Sequence, residues 1–225
     1  MKILLLQVLT PEIKDYSKWS IPINIEYSIK WNHDFHLYTA LSSDNPYHPA
    51  WLKITSLDKI NYKLYDWIWV LDCDAIINNQ NIDILNIINK DPKPIIISMN
   101  EYNGGSLLNS GSMLIKSDFI PKIIERYEEC VTNNYKYLKE RFWEQEFINE
   151  WYEEDKNLFS IREMSELNSH WRLNYLTPDE LNRFGVPHIE IIDQRQNLVH
   201  HYMSLPNDLR IKWMKQYFLN KHFSI

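Results

Sequence analysis

The sequence predicts an α/β fold in three layers, with a central, mainly parallel sheet covered by helices on both sides. Two observations predict this fold. Short apolar segments alternate with segments whose apolar residues recur at helical spacing. Most apolar segments also lack the polar-apolar alternation of a sheet with one solvated face, which indicates strands covered on both faces. No linker, repeat or shift in composition divides the chain, so we expect one domain over residues 1–225.

The predicted elements of the first half alternate between strand and helix. Its strands are predicted at 2–9, 34–40, 66–72 and 92–100, and its helices at 14–32, 49–64 and 82–90. The second half is less regular. Its pattern predicts two acidic amphipathic helices within 118–154, a terminal helix from about Asn207, and strands at 111–117, 188–193 and 197–202. We place the strand at 66–72 in the middle of the sheet.

The composition excludes several classes of protein. The net charge of −6, with no long run of lysine and arginine, argues against a nucleic-acid-binding protein. The two cysteines, Cys73 and Cys130, are too few for a disulfide framework and lack metal-site spacing, which fits a reducing compartment. The opening MKILLLQVL is too short for a membrane span and lacks a signal-peptide cleavage site, so it is interpreted as the first strand. Only four glycines leave no room for a glycine-rich phosphate loop.

The stretch YDWIWVLDCDAIINN, residues 65–79, places Asp72 and Asp74 directly after a strand of core-grade hydrophobicity. Ligands of open α/β sheets bind at the carboxyl ends of the strands. Residues two apart on an extended segment point the same way, so both carboxylates are expected to face one spot. A divalent cation removes their repulsion and supplies the missing partner. The plainer interpretation is two surface aspartates in a turn, where aspartate is common.

Two enzyme classes carry Asp-x-Asp after a hydrophobic strand. Haloacid-dehalogenase-like phosphatases usually carry it on the first strand, before a threonine or glycine turn. Here it follows the third strand and precedes Ala75, Ile76 and Ile77, which fits that class poorly. Metal-dependent glycosyltransferases with the GT-A fold use the motif to hold Mn²⁺ or Mg²⁺ against the diphosphate of a nucleotide-sugar.

Longer stretches around this motif resemble one glycosyltransferase family. HPAWLKITSLDKINYKLYDWIWVLDCDAIINN, the downstream LNSGSMLI and the upstream EYSIKWNHDFHLYT are similar to the retaining glycosyltransferases of family 34, the galactosyl-, xylosyl- and mannosyltransferases of fungi and plants. The resemblance covers most of residues 24–117 and continues through WEQEFIN at 143–149 and LVHHYMS at 198–204. It implies a GT-A fold, in which residues 1–100 form the nucleotide-sugar-binding half and residues 101–225 the acceptor half with a C-terminal closing segment.

The resemblance also implies roles for residues of the first half. Asp72 would contact the nucleotide ribose and the metal, and Asp74 would be a direct metal ligand. Lys53 would face the diphosphate, although a lysine near a helix start is also commonly a solvated surface charge. Asn109 and Gly111 would line the donor-sugar pocket, although Asn-Ser-Gly is also ordinary turn chemistry.

Two later elements depart from the family pattern. In WEQEFIN, Glu144 stands where the family has aspartate, and with Gln145 it would point an acid and an amide at the reacting face of the donor sugar. A solvated acidic helix face explains the same residues. In VHHYMS, Ser204 replaces a glycine, and the lysine expected shortly afterwards is displaced to Lys212.

The adjacent histidines of VHHYMS are separated by strand geometry. Neighbouring residues on a strand face opposite sides, so only one of them reaches a given metal. The family's histidine precedes an aromatic residue, which makes His201, before Tyr202, the implied third ligand and leaves His200 to pack elsewhere. Two carboxylates with one imidazole suit Mn²⁺ somewhat better than Mg²⁺.

The resemblance implies a metal-dependent enzyme that transfers a sugar from a UDP- or GDP-sugar to a glycan or glycosylated acceptor, with retention of configuration. Two alternatives stay open: a metal-dependent phosphatase or hydrolase using the same aspartates, and a non-catalytic nucleotide-sugar-binding protein in which the changes at Glu144 and Ser204 mark lost activity. Family members usually carry an N-terminal membrane anchor. Since this sequence opens at its first strand, we expect a cytoplasmic or cytoplasm-like location, or the soluble domain of a trimmed chain.

Overall fold

A computed structural model describes residues 1–99, 108–133, 135–139, 143–170, 197–203 and 205–223, and the statements below concern these residues. Six strands form the central sheet: β1 Ile3–Leu9, β2 Asp34–Thr39, β3 Trp67–Leu71, β5 Ile95–Met99, β6 Leu108–Lys116 and β7 Phe159–Arg162. Their spatial order is β2-β1-β3-β6-β5-β7, which places β3 in the middle as predicted. All neighbours pair parallel except β6, which runs antiparallel to both β3 and β5.

A second, small sheet follows the end of β3. It consists of β4 Ala75–Ile77, β8 Ser169–His170 and β9 Val199–His201, in the order β4-β9-β8. The strand predicted at 197–202 is β9, whereas the one predicted at 188–193 lies outside the described residues. Because β9 pairs antiparallel with β4, it brings residues from near the end of the chain beside the segment that follows β3.

Helices cover both faces of the central sheet. They are α1 Lys14–Trp31, α2 Leu52–Thr55, α3 Leu85–Ile88, α4 Ile120–Thr132, α5 Trp143–Glu154, α6 Met164–Leu167 and α7 Asn207–Phe223. Short 3₁₀ helices lie at Pro11–Ile13, Ser42–Asp44, Pro49–Trp51, Ser56–Asp58, Tyr62–Leu64, Ser117–Phe119, Lys136–Leu138 and Lys156–Leu158. No described helix combines the length and apolar character needed to cross a bilayer.

Side chains of β1 and β3 alternate between two hydrophobic cores, one on each face of the sheet. Leu4 and Leu6 face the first core with Ile68 and Val70, whereas Leu5 and Trp69 face the second. The helical segments contribute large buried side chains to the first core: Trp51, Ile54, Ile120, Phe147 and Trp151. In the second core, the buried side chains from the helical segments and their ends include Tyr27, Ile84, Ile88 and Leu167. The predicted three-layer α/β fold is confirmed.

The helix predicted over 49–64 is instead a chain of short helical turns. Trp51, Leu52, Ile54 and Leu57 are buried, whereas Leu64 is 57% exposed, and the backbone does not hold one helix. The Thr55 hydroxyl donates to the carbonyl of Trp51 at 3.4 Å, and that of Ser56 to the carbonyl of Lys53 at 3.4 Å. Such side-chain bonds compete with regular helix geometry.

Strand β6 begins three residues before the predicted strand at 111–117. The LNSG stretch is therefore the buried start of a strand beside β3, so the interpretation of this stretch as an ordinary turn is wrong.

A third cluster of buried residues joins the start of the small sheet to α1 and α7. Tyr16 and Ile23 of α1 pack there with Cys73, Ile76 and Met214. Helix α1 also contributes a polar contact, because the Asn24 amide donates to the carbonyl of Ala75 at 3.0 Å and accepts from the N–H of Ile77 at 2.8 Å. Asn24 thereby satisfies both backbone groups on the edge of β4, directly after the two aspartates.

We predict that Asn24→Ala lowers the free energy of unfolding by about 2–4 kcal/mol, because it leaves two buried backbone groups unpaired. The matched control is Ser28→Ala, on the same helix and equally buried, whose hydroxyl bonds only to the Asn24 carbonyl within the helix. Urea unfolding of both variants measures the difference. Equal losses in the two variants would show that Asn24 has no special part in holding β4.

Candidate active site

A tight turn, fixed from several sides, follows β3 and carries both aspartates. The N–H of Ala75 donates to the carbonyl of Asp72 at 3.0 Å, so residues 72–75 turn rather than stay extended. The Gln7 side chain donates to the same carbonyl at 3.1 Å, and the Ser20 hydroxyl to the carbonyl of Cys73 at 2.5 Å. The extended geometry expected from the sequence is therefore wrong, although the turn does aim both carboxylates at one spot.

His201 completes a three-residue group with the aspartates. Its Nε2 lies 3.0 Å from Asp74 Oδ1 and 3.6 Å from Asp72 Oδ2. One potential ligand atom from each of the three residues lies within 4.8 Å of the others. Pairing of Ala75 with His201 between β4 and β9 brings the imidazole to the turn. His200 points elsewhere, with its ring edge-on to Tyr217 at 6.1 Å between centroids.

The donor atoms of this group fit a divalent cation. Two carboxylates and one imidazole are ligands that Mn²⁺ accepts, and carboxylates also suit Mg²⁺. Asp74 is only 9% exposed, which contradicts its interpretation as a surface aspartate. Burial, with the nearby carboxylates of Asp74 and Glu144, raises the pKa of Asp72 in spite of Lys53 and His201. Burial acts in the same direction on Asp74, but His201 and Arg210 outweigh it and hold the pKa of Asp74 below its usual range.

Gly111 lies directly behind the imidazole. Its carbonyl accepts from the N–H of Asp72 at 2.9 Å, so β6 is bonded to the start of the turn. A Cβ atom at Gly111 would lie 2.0 Å from His201 Cε1 and 2.4 Å from Nδ1, far inside van der Waals contact. The sequence predicted that Gly111 lines the donor-sugar pocket. In the structure, the group that lies against the Gly111 backbone is the ring of His201.

A buried cation lies on the other side of Asp72. Lys53 Nζ lies 2.9 Å from Asp72 Oδ1, 2.7 Å from Glu144 Oε1 and 3.2 Å from the Ser110 hydroxyl. Lys53 is 9% exposed and Glu144 3%, so neither is the solvated surface charge that the sequence left open. Burial lowers the pKa of Lys53, but Asp72 and Glu144 raise it by more and keep the ammonium charged.

Ser110 and Asn109 organise the polar residues next to this cation. The Ser110 hydroxyl donates to Glu144 Oε1 at 2.9 Å, and its N–H donates to Gln145 Oε1 at 3.2 Å. Asn109 Oδ1 accepts from the N–H of Gly111 at 2.9 Å and from Asn168 at 2.6 Å. Glu144 Oε2 is buried and has no hydrogen-bond partner among the described residues.

Arg210 is a site residue that the sequence analysis missed. Its Nε lies 3.2 Å from Asp74 Oδ2 and donates to the carbonyl of Tyr202 at 3.1 Å, while the guanidinium lies over the Tyr16 ring at 4.6 Å. The family resemblance implies a lysine in this part of the chain, at Lys212, but the Lys212 ammonium lies 4.6 Å from the Trp213 ring centre. The place of Arg210 in the first turn of the predicted terminal helix, shortly after His201, is the one sequence feature that could have indicated it.

The structure thus brings together Asp72, Asp74 and His201, with Lys53 and Glu144 on one side and Arg210 on the other. Gly111 lies against His201, and Asn109 and Gln145 hold the adjoining part of β6. All the aspartate contacts lie at the carboxyl end of the middle strand, where ligands of α/β sheets bind.

No protein-family profile and no curated protein sequence matches this chain. Solved structures do match. A glycosyltransferase involved in the glycosylation of the major capsid of PBCV-1 superposes with a TM-score of 0.72 at 14% identity, over 96% of this chain and 100% of that one. The chain has a glycosyltransferase fold.

Two further structures agree with this fold. The glycosyltransferase GlyE of Streptococcus pneumoniae TIGR4 gives a TM-score of 0.63 at 14% identity, over all of this chain and 64% of GlyE. The galactosyltransferase LgtC, solved with donor and acceptor sugar analogs, gives 0.53 at 14% identity, over 96% of this chain and 95% of LgtC. The predicted GT-A-type architecture is confirmed.

We predict that Gly111→Ala displaces the His201 ring and destabilises the fold by about 1–3 kcal/mol, as overpacking typically does. In a His201→Ala background the same change should cost much less, because the space of the ring is then open. Thermal unfolding of the four members of this mutant cycle measures the coupling. Additive effects of the two changes would contradict the close packing of Gly111 on His201.

We predict that Lys53→Met lowers the free energy of unfolding by about 3–5 kcal/mol at pH 8, because it leaves buried carboxylates without their cation. The loss should be smaller at pH 5. The pKa of Asp72 is already raised by burial, and removing Lys53 raises it further. A carboxyl whose pKa is higher in the folded than in the unfolded state binds extra protons on folding, so its contribution to stability fades as the pH rises.

Urea unfolding at both pH values tests this, with Lys59→Met as the control, since Lys59 pairs with Asp58 on the surface. The free energy of unfolding of Lys59→Met should stay close to that of the wild type at either pH. A Lys53→Met loss that is independent of pH would contradict the placement of Lys53 between ionised carboxylates.

Proposed function

We propose that this chain is a divalent-metal-dependent glycosyltransferase, which moves a sugar from a nucleoside-diphosphate sugar to a glycan or glycosylated acceptor. One observation carries the proposal: Asp72, Asp74 and His201 converge at the carboxyl end of the middle strand of a glycosyltransferase fold. The sequence offers no glycine-rich phosphate loop to bind the diphosphate instead.

Asp72, Asp74 and His201 would hold the cation in this proposal. Mn²⁺ or Mg²⁺ bound there would stabilise the negative charge that develops on the leaving diphosphate. The protein's own part is to keep the three donors in place. Lys53 holds Asp72 Oδ1, which leaves Oδ2 facing His201, and the N–H of Asp72 is tied to Gly111.

The predicted diphosphate contact of Lys53 requires a rearrangement. An ammonium has three donors, and Asp72, Glu144 and Ser110 lie within reach of all three. We therefore assign Lys53 mainly to positioning, as the charge that holds the carboxyl groups of Asp72 and Glu144 side by side. A direct contact with the diphosphate means releasing one of these partners.

Glu144 is the residue best placed for the donor sugar. Its Oε1 is fixed by Lys53 and Ser110, while its buried Oε2 has no described partner. A fixed carboxylate oxygen of this kind can accept from a sugar hydroxyl or stabilise positive charge at the anomeric carbon. Gln145, Asn109 and Gly111 complete the proposed sugar-facing set. Retention of configuration is proposed from the family resemblance.

Two parts of the chain contribute residues to the proposed site. Residues 1–100 supply Lys53 and the two aspartates, as expected of a nucleotide-sugar-binding half. Residues 101–225 supply Glu144 and His201, which fits an acceptor half with a closing segment.

We predict that UDP or GDP raises the unfolding temperature only when Mn²⁺ is present, and that in Asp74→Asn neither nucleotide raises it, with or without Mn²⁺. Thermal-shift assays with Mn²⁺ or EDTA measure it, followed by transfer assays with a panel of UDP- and GDP-sugars. The control is Asp58→Asn, which removes an exposed carboxylate and should behave like the wild type.

Equal nucleotide binding in Mn²⁺ and EDTA would overturn metal dependence. Phosphate release from simple monoesters without sugar transfer would replace the proposal by a phosphatase. Donor binding without turnover on any acceptor would replace it by a nucleotide-sugar-binding protein.

A further inference from the structure

Each aspartate of the site divides its two oxygens between His201 and a permanent cation. Asp72 faces His201 with Oδ2 and Lys53 with Oδ1, at 3.6 and 2.9 Å. Asp74 faces His201 with Oδ1 and Arg210 with Oδ2, at 3.0 and 3.2 Å. A divalent cation bound by these aspartates therefore meets carboxylates that already have positive partners.

We propose that Arg210 competes with the divalent cation for Asp74, and that it releases Asp74 when an anionic ligand takes up its guanidinium. Arg210 would thus make metal and nucleoside diphosphate bind cooperatively. The first half of this inference concerns the cation alone. The second half rests on the proposed function, because it takes the diphosphate of the donor as the anion.

The positions of the charges support competition. A cation bound to Asp74 lies within a few ångströms of the guanidinium, and like charges repel strongly in a site as little hydrated as this one. Asp74 gains from Arg210 whenever no other cation is there, since a carboxylate this deeply buried requires a partner. The Asp74 carboxylate therefore has two mutually unfavourable partners, a cation beside His201 and the guanidinium of Arg210.

The charge balance of the cluster supports cooperativity. Three carboxylates face two permanent cations, so the cluster carries one net negative charge when His201 is neutral: Asp72, Asp74 and Glu144 against Lys53 and Arg210. A divalent cation reverses that sign and leaves one positive charge in excess. The negative charge of a diphosphate offsets this positive excess, so the metal and the anion each favour binding of the other.

Arg210 is the cation of the two with donor groups to spare for a second partner. Lys53 is enclosed by three partners from three segments. Arg210 lies in the first turn of α7, with its guanidinium over the Tyr16 ring, and its polar contacts with described residues use Nε and one terminal nitrogen, which donates to Asn207 at 3.1 Å. A guanidinium offers five donors and binds phosphate oxygens in pairs.

Calorimetric titration of the full chain tests both halves. Mn²⁺ is titrated alone, and UDP is then titrated at saturating Mn²⁺, into the wild type, Arg210→Gln and Lys212→Gln. Lys212 is the matched control, a cation two residues along the same helix that contacts Trp213. We expect Arg210→Gln to bind Mn²⁺ alone about tenfold more tightly and UDP about tenfold more weakly, within the range of about 5–150-fold typical of coupled sites. Lys212→Gln should match the wild type in both titrations.

Arg210→Lys provides a second variant, which keeps the charge and should bind Mn²⁺ alone about as the wild type does. Thermal unfolding of each variant confirms that α7 stays in place. Unchanged or weaker Mn²⁺ binding by Arg210→Gln overturns the competition. Tighter Mn²⁺ binding with unchanged UDP binding overturns the cooperativity. If the wild type binds Mn²⁺ but not UDP, the proposed function fails, and the Mn²⁺ titration still decides the competition.

Discussion

Buried carboxylates need positive partners, and this requirement ties together the parts of the molecule that meet at the end of β3. Asp72 and Asp74 follow a strand that is buried on both faces, and their side chains are only 26% and 12% exposed, so water compensates only part of their charge. Their partners come from three other regions of the chain, namely Lys53 on α2, His201 on β9 and Arg210 on α7.

The surrounding structure positions those partners. Pairing of β9 with β4 brings His201 to the turn, and the missing side chain of Gly111 leaves room for its ring. Helix α1 holds β4 through Asn24 and packs against α7, which carries Arg210. The small sheet and the terminal helix are therefore as much parts of the site as the aspartates themselves.

The sequence predicted well what depends on local pattern. Periodicity and composition predict the strands with two apolar faces and the helices at either end of the chain. They also predict the position of the aspartates after the middle strand. It predicted poorly what depends on contacts distant in sequence. Nothing in the spacing of Lys53 shows that Asp72 and Glu144 enclose it, and nothing local shows that LNSG begins a buried strand. Arg210 was missed for the same reason, since its partner lies far away along the chain.

The central claim is that Asp72, Asp74 and His201 hold a divalent cation that also binds a nucleoside diphosphate. Anomalous X-ray diffraction from crystals grown with Mn²⁺ and UDP, recorded on the high-energy side of the manganese edge, tests it most directly. We expect one strong anomalous peak bounded by these three side chains, with diphosphate oxygens completing its shell. A peak coordinated by His200, a peak elsewhere on the chain, or UDP bound without manganese at this cluster would contradict the account.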